Sequence, residues 1–271
     1  MLKDLVFDYS YHNHTARCGH AVGRDEQYVI QALSQGFHVY GFSDHIFLPG
    51  ISQPGMRGDY SLLDDYLSSV AQLKKHYADK LKIYTAFEAE YLPDYLHYYE
   101  NLLHHHQVDY LILGQHGYIE NQRFVFYGSH YWEPAAMLKR YTADLIAGIN
   151  SGLFAFVAHP DLFMSFYPVF DEEARQATIE ILEAAKKMNI PLEINLGGVR
   201  RGLQDYYVTQ RYDYPVREFW VEVSKTTIPV IIGVDAHHPD ELSNIPLAAI
   251  EKLLGDLPLN FINRLTFNNR E

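Results

Sequence analysis

Short apolar runs alternate with longer stretches of helical periodicity along the chain. The runs are rich in Val, Ile, Phe and Tyr, as buried strands are. They predict seven strands, at Leu5–Tyr11, His38–Ser43, Lys82–Tyr91, Asp109–Gly114, Leu153–Ala158, Pro191–Asn195 and Pro229–Val234. The periodic stretches predict helices, at Asp25–Ser34, Leu62–Tyr77, Asp94–His106, Pro134–Asn150, Asp171–Met188, Val216–Ser224 and Leu247–Leu254. Such alternation of strand and helix is typical of an α/β fold with a parallel sheet.

Parallel strands joined by right-handed crossovers favour an α/β barrel for a chain of this length. In such a barrel the functional residues lie at the carboxyl ends of the strands, so the side chains that follow each strand are the candidates for chemistry. Two irregular stretches, Phe47–Tyr60 and Gly197–Arg211, are predicted to be loops, and the first is expected to lie over the site. Neither has the composition of a domain linker.

Composition narrows the class of protein. The chain has 271 residues, of which 48% are hydrophobic, so a large core is available. Its net charge of −12 disfavours a nucleic-acid partner, because an acidic surface repels the phosphate backbone. Cys18 is the only cysteine, which excludes an intramolecular disulfide and fits a reducing compartment. No apolar run resembles a signal peptide or a membrane helix, so we expect a cytoplasmic location and no membrane partner.

Six of the seven predicted strands deliver His, Asp or Glu side chains at the same end. They are His12 and His14, Asp44 and His45, Glu88 and Glu90, His116, His159, and Asp235 and His237. Residues two apart on a strand face the same way, so His12 and His14 can both reach one ion. Imidazole nitrogen and carboxylate oxygen are ligands that zinc, iron and manganese share. The sequence therefore predicts a metal site at one rim of the barrel and leaves the identity of the metal open.

Other candidate groups carry weaker signals. The histidines at 104–106 fall at a predicted helix end, where positive charge complements the helix dipole. Cys18 is interpreted as a packed neutral thiol, with a thiolate ligand as the alternative. The pair Gly197-Gly198 could turn backbone N–H groups toward an anion, and the neighbouring Arg200 would match phosphate oxygens. A plain turn beside a surface arginine pair is the alternative interpretation.

Six motifs, taken in order, carry a family resemblance. They are HNHTARCGHA (12–21), SDH (43–45), FEAE (87–90), GQHG (114–117), AHPD (158–161) and GVDAHHP (233–239). From His12 to Pro239 they resemble the polymerase and histidinol phosphatase (PHP) superfamily, and most closely its stand-alone histidinol-phosphate phosphatase branch. The resemblance implies a distorted, TIM-like (β/α)7 barrel that forms a single domain over residues 1–271.

The resemblance also implies up to three divalent metal ions held by nine side chains. One ion would take His12, His14, Glu88 and Asp235, a second would share Glu88 and add His116 and His159, and a third would take His20, His45 and His237. Glu90 falls on the same strand face as Glu88. Only the family pattern, and not the strand periodicity, favours Glu88 as the bridging ligand.

The implied reaction is hydrolysis of a phosphate monoester, L-histidinol phosphate, by a water that the metals activate. Arg17 and Arg200 are the candidates for contacts with the phosphate. Asp44 and Asp161 are candidates for proton transfer to the leaving alkoxide, or for orienting a metal-bound histidine.

Three other functions stay open on the sequence alone. A PHP phosphoesterase could act on nucleotides or on another small phosphate ester. An amidohydrolase that cleaves C–N bonds would share the His-x-His pair, but it usually has eight strands and a lysine after the fourth, where this chain has His116. A non-catalytic metal-binding protein would have a coordinatively closed site.

Overall fold

The computed structural model describes residues 6–105, 107–130, 133–206 and 209–267. Its strands are β1 (Tyr9–Ser10), β2 (Val39–His45), β3 (Lys82–Ala89), β4 (Tyr110–Leu113), β5 (Gly117–Glu120), β6 (Arg123–Phe126), β7 (Phe156–Val157), β8 (Leu192–Asn195), β9 (Gln204–Tyr206), β10 (Thr209–Arg211), β11 (Pro229–Gly233) and β12 (Asn260–Phe261). Its helices are α1 (Asp25–Ser34), α2 (Leu63–His76), α3 (Leu96–His104), α4 (Pro134–Ser151), α5 (Glu172–Met188), α6 (Gly197–Arg200), α7 (Arg217–Val223) and α8 (Leu247–Leu254). The histidine at position 106 lies outside the described residues.

Eight strands form one parallel sheet in the order β1-β2-β3-β4-β7-β8-β11-β12. The seven strands predicted from the sequence are all confirmed, and so are the seven predicted helices, most of them to within two residues at each end. Of the eight strands in this parallel sheet, only β12 was not predicted. β12 consists of Asn260 and Phe261, and the polar Asn260 and Asn263 leave it no continuous apolar run in the sequence.

Helix α5 shows how local sequence sets the boundaries of these elements. Asp171 precedes the helix and its side chain accepts a hydrogen bond from the backbone N–H of Ala174. The helix ends in Lys186 and Lys187, whose charge complements the carboxyl-terminal dipole, and Asn189 follows in the left-handed conformation. Within the described residues, no helix combines the length and the apolar character needed to span a membrane.

The sheet curls until β1 and β11 meet at the end where the strands finish. There the N–H of Asp235 donates to the carbonyl of His12 at 2.8 Å, and the N–H of His14 donates to the carbonyl of Ala236 at 2.9 Å. At the opposite end β12 pairs with β11 instead. This closure confirms the expected distorted barrel. It brings the residues that follow β1 into direct contact with those that follow β11.

The inner face of the barrel changes from apolar to polar along the strands. Near the strand starts it is filled by buried side chains that include Ala86, Tyr110 and Ile231. Glu88 lies two residues beyond Ala86 on β3, so it points inward as well. Glu193 is paired with Ile231 across β8 and β11, which places it on the same inner face. Two carboxylates therefore lie inside the barrel just above its apolar floor.

One predicted loop was wrong and the other was confirmed. Gly197–Arg211 folds as α6 followed by the β9–β10 hairpin, because Tyr206 hydrogen-bonds Asp213 and the guanidinium of Arg211 lies 4.0 Å from the Tyr206 ring. Such side-chain contacts leave no periodic trace in three-residue strands. The stretch Phe47–Tyr60 contains turns and no strand or α-helix, as expected. A second hairpin, β5–β6, was also not predicted.

Candidate metal centre

Glu88 is the centre of a cluster of imidazoles. It occupies the end of β3, it is 1% exposed, and its two oxygens face different sets of histidines. Oε2 lies 3.3, 3.5 and 3.1 Å from ring nitrogens of His12, His14 and His45, and Oε1 lies 3.3 and 2.9 Å from Nε2 of His116 and His159. A carboxylate whose two oxygens face separate groups of ligands is positioned to bridge two cations.

Asp235 completes the set of ligands on the Oε2 side of Glu88. Its Oδ1 lies 3.0 Å from Nε2 of His14 and 3.6 Å from Nε2 of His12. Ligand atoms of these three residues all lie within 4.8 Å of one another. Three buried groups at this spacing surround a volume that suits one ion.

His20, His45 and His237 meet at the mouth of the cluster. Nε2 of His20 and Nε2 of His237 lie 2.9 Å apart, and the rings of His20 and His45 have centroids 5.4 Å apart. His45 is buried, whereas His20 is exposed and His237 is partly exposed. The structure thus brings all nine sequence-predicted ligand residues into one cluster, in which His20, His116 and His237 are at least partly exposed and the other six are buried.

The backbone at two of these residues is held in an uncommon conformation. His159 and Asp235 both have positive φ, 29° and 54°. This region costs a residue with a side chain about 1–3 kcal/mol, and such strain concentrates at functional sites. Both residues are candidate ligands at strand ends. The strained backbone therefore supports a functional role for the positions of their side chains.

Unpaired buried atoms indicate that the donor set fits a cation. Nδ1 of His45 and Oδ1 of Asp235 are buried and make no well-aligned hydrogen bond among the described residues, although each lies close to another ligand atom of the cluster. Buried polar atoms are nearly always paired in folded proteins. Opposed imidazole nitrogens, such as those of His20 and His237, also repel unless a proton or a cation lies between them.

The pKa shifts of the clustered side chains also indicate a site that suits cations. Burial alone would lower the pKa of His14, but the adjacent carboxylates of Asp235 and Asp44 raise that pKa to about 9. Burial likewise opposes a raised pKa at His116, where the neighbouring carboxylates of Glu88 and Glu90 bring the pKa to about 9. Although burial would raise the pKa of Glu88, the surrounding histidines hold it well below its ordinary value. The carboxylates are therefore ionised and attract positive charge into the cluster.

Glu193 is a site residue that was not predicted from the sequence. Its Oε1 lies 2.9 Å from Nδ1 of His12, and its Oε2 accepts hydrogen bonds from the N–H of His159 at 3.3 Å and from Asn195 at 2.8 Å. A carboxylate on the far nitrogen of a metal-binding histidine fixes the ring and its tautomer. The available signal was a glutamate inside an apolar strand, since such residues are almost never fully buried without partners.

Two glycines make room for the inward carboxylates. A Cβ at Gly114 would lie 2.0 Å from Oε1 of Glu88, and a Cβ at Gly233 would lie 1.7 Å from Oε1 of Glu193. Neither distance is compatible with a side chain. The glycines that open the motifs GQHG and GVDAHHP are thus required by close approach to Glu88 and Glu193.

Glu90 lies on the far side of His116 from Glu88. Its Oε1 is 3.0 Å from Nδ1 of His116 and accepts a hydrogen bond from Nη2 of Arg57 at 2.9 Å. Arg57 was not singled out in the sequence, because the irregular stretch that carries it has no periodicity. Of the two glutamates on β3, the geometry puts Glu88 among the imidazoles and Glu90 behind one of them.

The two predicted catalytic aspartates have different surroundings. Asp44 accepts hydrogen bonds from the hydroxyl of Thr15 and from the N–H of His45, and its Oδ1 lies 3.5 Å from Nδ1 of His14. Asp161 accepts hydrogen bonds from the N–H of Val216 at 2.6 Å and from the indole of Trp220 at 3.0 Å. Burial raises the pKa of Asp161 to about 6. Asp44 thus borders the cluster, and Asp161 joins the strand end to α7.

The two predicted phosphate-binding arginines also differ. Arg17 is paired with Asp25 at 2.9 Å and with Asp65 at 2.8 Å. Arg200 donates from Nη2 to the carbonyl of Asp235 at 2.5 Å, and its Nη1 is buried without a partner among the described residues. Arg200 also pairs through Nε with Oε1 of Glu241 at 3.3 Å, but its Nη1 donor remains unused, whereas the guanidinium of Arg17 is paired with two carboxylates.

Comparison with known proteins gives relatives over nearly the full chain. A probable histidinol-phosphatase from Deinococcus radiodurans is 27% identical over 238 residues, covering 85% of this chain and 86% of the relative. The histidinol-phosphatase of Bacillus subtilis is 24% identical over 269 residues, covering 89% and 97%.

Solved structures share the fold. The histidinol phosphate phosphatase of Lactococcus lactis, in a complex with zinc, L-histidinol and phosphate, aligns with a TM-score of 0.67 and 16% identity over 94% of this chain and 95% of that one. A putative histidinol phosphatase from Listeria monocytogenes aligns with a TM-score of 0.66 and 20% identity over 86% and 96%.

A family match covers the site itself. The sequence model of the PHP domain matches residues 10–197, more than half of the chain. The matched segment contains seven of the nine clustered ligand candidates, and only Asp235 and His237 lie beyond it. The motifs, the closed barrel and this match lead to one conclusion: the chain belongs to the PHP domain family.

Proposed function

We propose that this chain is a metal-dependent phosphatase that hydrolyses L-histidinol phosphate to L-histidinol and phosphate. The observation that carries the proposal is the position of Glu88, whose two oxygens face two separate groups of imidazoles. Support for the substrate comes from the relatives, which are named histidinol-phosphatases, and from the Lactococcus lactis protein, which is complexed with L-histidinol and phosphate.

We assign three ions to the nine clustered side chains. The first would be held by His12, His14, Glu88 and Asp235, the second by Glu88, His116 and His159, and the third by His20, His45 and His237. Zinc, iron and manganese all suit these nitrogen and oxygen donors. When bound, the ions activate a water and neutralise charge on the transferring phosphoryl group.

The protein side chains around the ligands have positioning roles. Glu193 holds His12, and Glu90 holds His116, each through the Nδ1 of the ring. Asp44 bonds the backbone N–H of His45 and borders His14, so we assign it to orienting these rings. Asp161, whose carboxylate bonds Val216 and Trp220, is assigned to holding α7 rather than to proton transfer.

Substrate contacts are assigned to Arg200 first. Its free Nη1 donor suits an oxygen of the phosphate. Arg17 remains a second candidate, but its guanidinium would have to break its ion pairs with Asp25 and Asp65 before it could bind the phosphate.

The experiment is phosphate release from a panel of monoesters by protein whose metal content has been measured. The proposal expects turnover of L-histidinol phosphate to exceed that of p-nitrophenyl phosphate and of a nucleoside monophosphate. Equal or lower turnover of L-histidinol phosphate would move the assignment to another small phosphate ester. Hydrolysis of an amide or lactone without phosphate release would point to amidohydrolase chemistry instead.

A further inference from the structure

The irregular stretch between β2 and α2 contributes one fully buried cation, Arg57. Its side chain is 0% exposed. Nη1 donates to the carbonyl of Ile46 at 3.0 Å, Nε donates to Gln53 at 2.7 Å, and Nη2 donates to Glu90 at 2.9 Å. The guanidinium also lies 4.9 Å from the ring of Phe124 in the β5–β6 hairpin. Arg57 thus joins three segments that surround the metal centre.

Glu90 connects Arg57 to His116, which is one of the nine candidate metal ligands. One oxygen, Oε1 of Glu90, receives Arg57 and lies 3.0 Å from Nδ1 of His116. A carboxylate only accepts hydrogen bonds, so Nδ1 carries a proton, and once the ring is neutral its lone pair is on Nε2. Nε2 of His116 faces Oε1 of Glu88 at 3.3 Å.

We propose that Arg57 is a positioning residue that keeps Glu90 behind His116 and thereby leaves Glu88 as the bridging carboxylate. The proposal rests on the metal-dependent function proposed above. Glu88 and Glu90 are two residues apart on one strand face, and both are buried. Without a fixed cation, Glu90 would be drawn toward the metal ions in competition with Glu88. Arg57 supplies that cation from a position where it contacts none of the nine ligands.

The test compares zinc affinity among four proteins: the parent, Arg57→Met, Arg57→Lys and the control Arg217→Met. Arg217 is a partly exposed arginine that pairs with Asp256 on the surface. Affinity is measured by competition with a chromophoric chelator on folded, metal-stripped protein. We expect Arg57→Met to weaken zinc binding by about 10- to 100-fold, the usual effect of removing a residue behind a ligand. Arg57→Lys should recover part of the loss, because it keeps the charge, and Arg217→Met should match the parent.

A double variant keeps the test decisive if Arg57→Met does not fold. Removing one partner of a buried ion pair leaves an unpaired charge, which is strongly destabilising. Arg57→Met combined with Glu90→Gln removes both charges and retains an acceptor near His116. The proposal expects this double variant to fold and to bind zinc more weakly than the parent.

Parental zinc affinity in folded Arg57→Met, or in the double variant, would overturn the proposal and leave Arg57 with a purely structural role. This readout is independent of the substrate. If the parent binds zinc and does not hydrolyse L-histidinol phosphate, the proposed function fails, while the affinity comparison still decides the role of Arg57.

Discussion

Oε1 of Glu193 lies 2.9 Å from Nδ1 of His12, and both side chains are completely buried. The pair spans the barrel from β8 to the end of β1. Its geometry directs Nε2 of His12 toward Glu88 and Asp235, at 3.3 and 3.6 Å. Because a carboxylate fixes both the orientation and the tautomer of an imidazole, this buried contact prepares His12 as a ligand.

The contact predicts that Glu193→Gln weakens metal binding. An amide can still bond Nδ1 of His12, but it no longer adds negative charge behind the ring. We expect zinc affinity and turnover to fall by about 10- to 100-fold, as for other residues behind metal ligands. Glu180→Gln, which changes an exposed glutamate of α5, is the matched control. Unchanged zinc affinity in Glu193→Gln would refute the assigned role.

Arg200 is predicted to bind the phosphate through its unpaired Nη1. Hydrogen bonds to charged groups are worth about 1.5–3 kcal/mol, so Arg200→Met should weaken competitive inhibition by inorganic phosphate by at least about tenfold. Arg175→Met removes a partly exposed arginine that pairs with Glu222 and should leave inhibition unchanged. Metal content must be measured in parallel, because Arg200 also bonds the carbonyl of Asp235. An unaltered inhibition constant in fully loaded Arg200→Met would exclude this contact.

Asp161 is predicted to stabilise the fold rather than to transfer a proton. Asp161→Asn retains an oxygen acceptor for Val216 and Trp220, so turnover should stay within about tenfold of the parent, below the usual contribution of acid–base catalysis. Asp161→Ala leaves both donors buried and unpaired, and it should lower the free energy of unfolding by about 1–3 kcal/mol. A loss of turnover of about 100-fold or more in a stable Asp161→Asn variant would restore the role in proton transfer.

Metal uptake is predicted to release protons at neutral pH. His14 and His116 have pKa values of about 9 in the metal-free chain, above the ordinary value of 6.5. Both rings are therefore protonated at pH 7, and each must lose a proton before it binds an ion. Zinc affinity should rise as the pH increases from 7 toward 9. Titration of metal-free protein with zinc in weak buffer, followed with a pH indicator, should show acidification, and its absence would contradict the protonated state.

The ligand cluster could be predicted because it depends only on strand order. Parallel strands all end at one rim, so His12, His159 and Asp235 had to converge once the strands were recognised. The Glu88 assignment needed more than the periodicity, since Glu90 shares its strand face. The structure separates the two by their neighbours, which are five imidazoles for Glu88, and Arg57 together with the single imidazole of His116 for Glu90.

The supporting residues could not be predicted from the chain alone. Glu193 faces the interior because of its pairing with Ile231, and that register is a tertiary property. Arg57 reaches Glu90 through an irregular stretch that no period describes. The β9–β10 hairpin depends on the contacts of Tyr206 with Asp213 and Arg211, which form only after the chain has folded back.

The most direct test of the central claim is anomalous diffraction at the zinc absorption edge from crystals of the zinc-loaded protein. The account predicts three peaks, two of them on opposite sides of the Glu88 carboxylate and the third next to His20 and His237. A single peak, or two peaks that do not share Glu88, would contradict it.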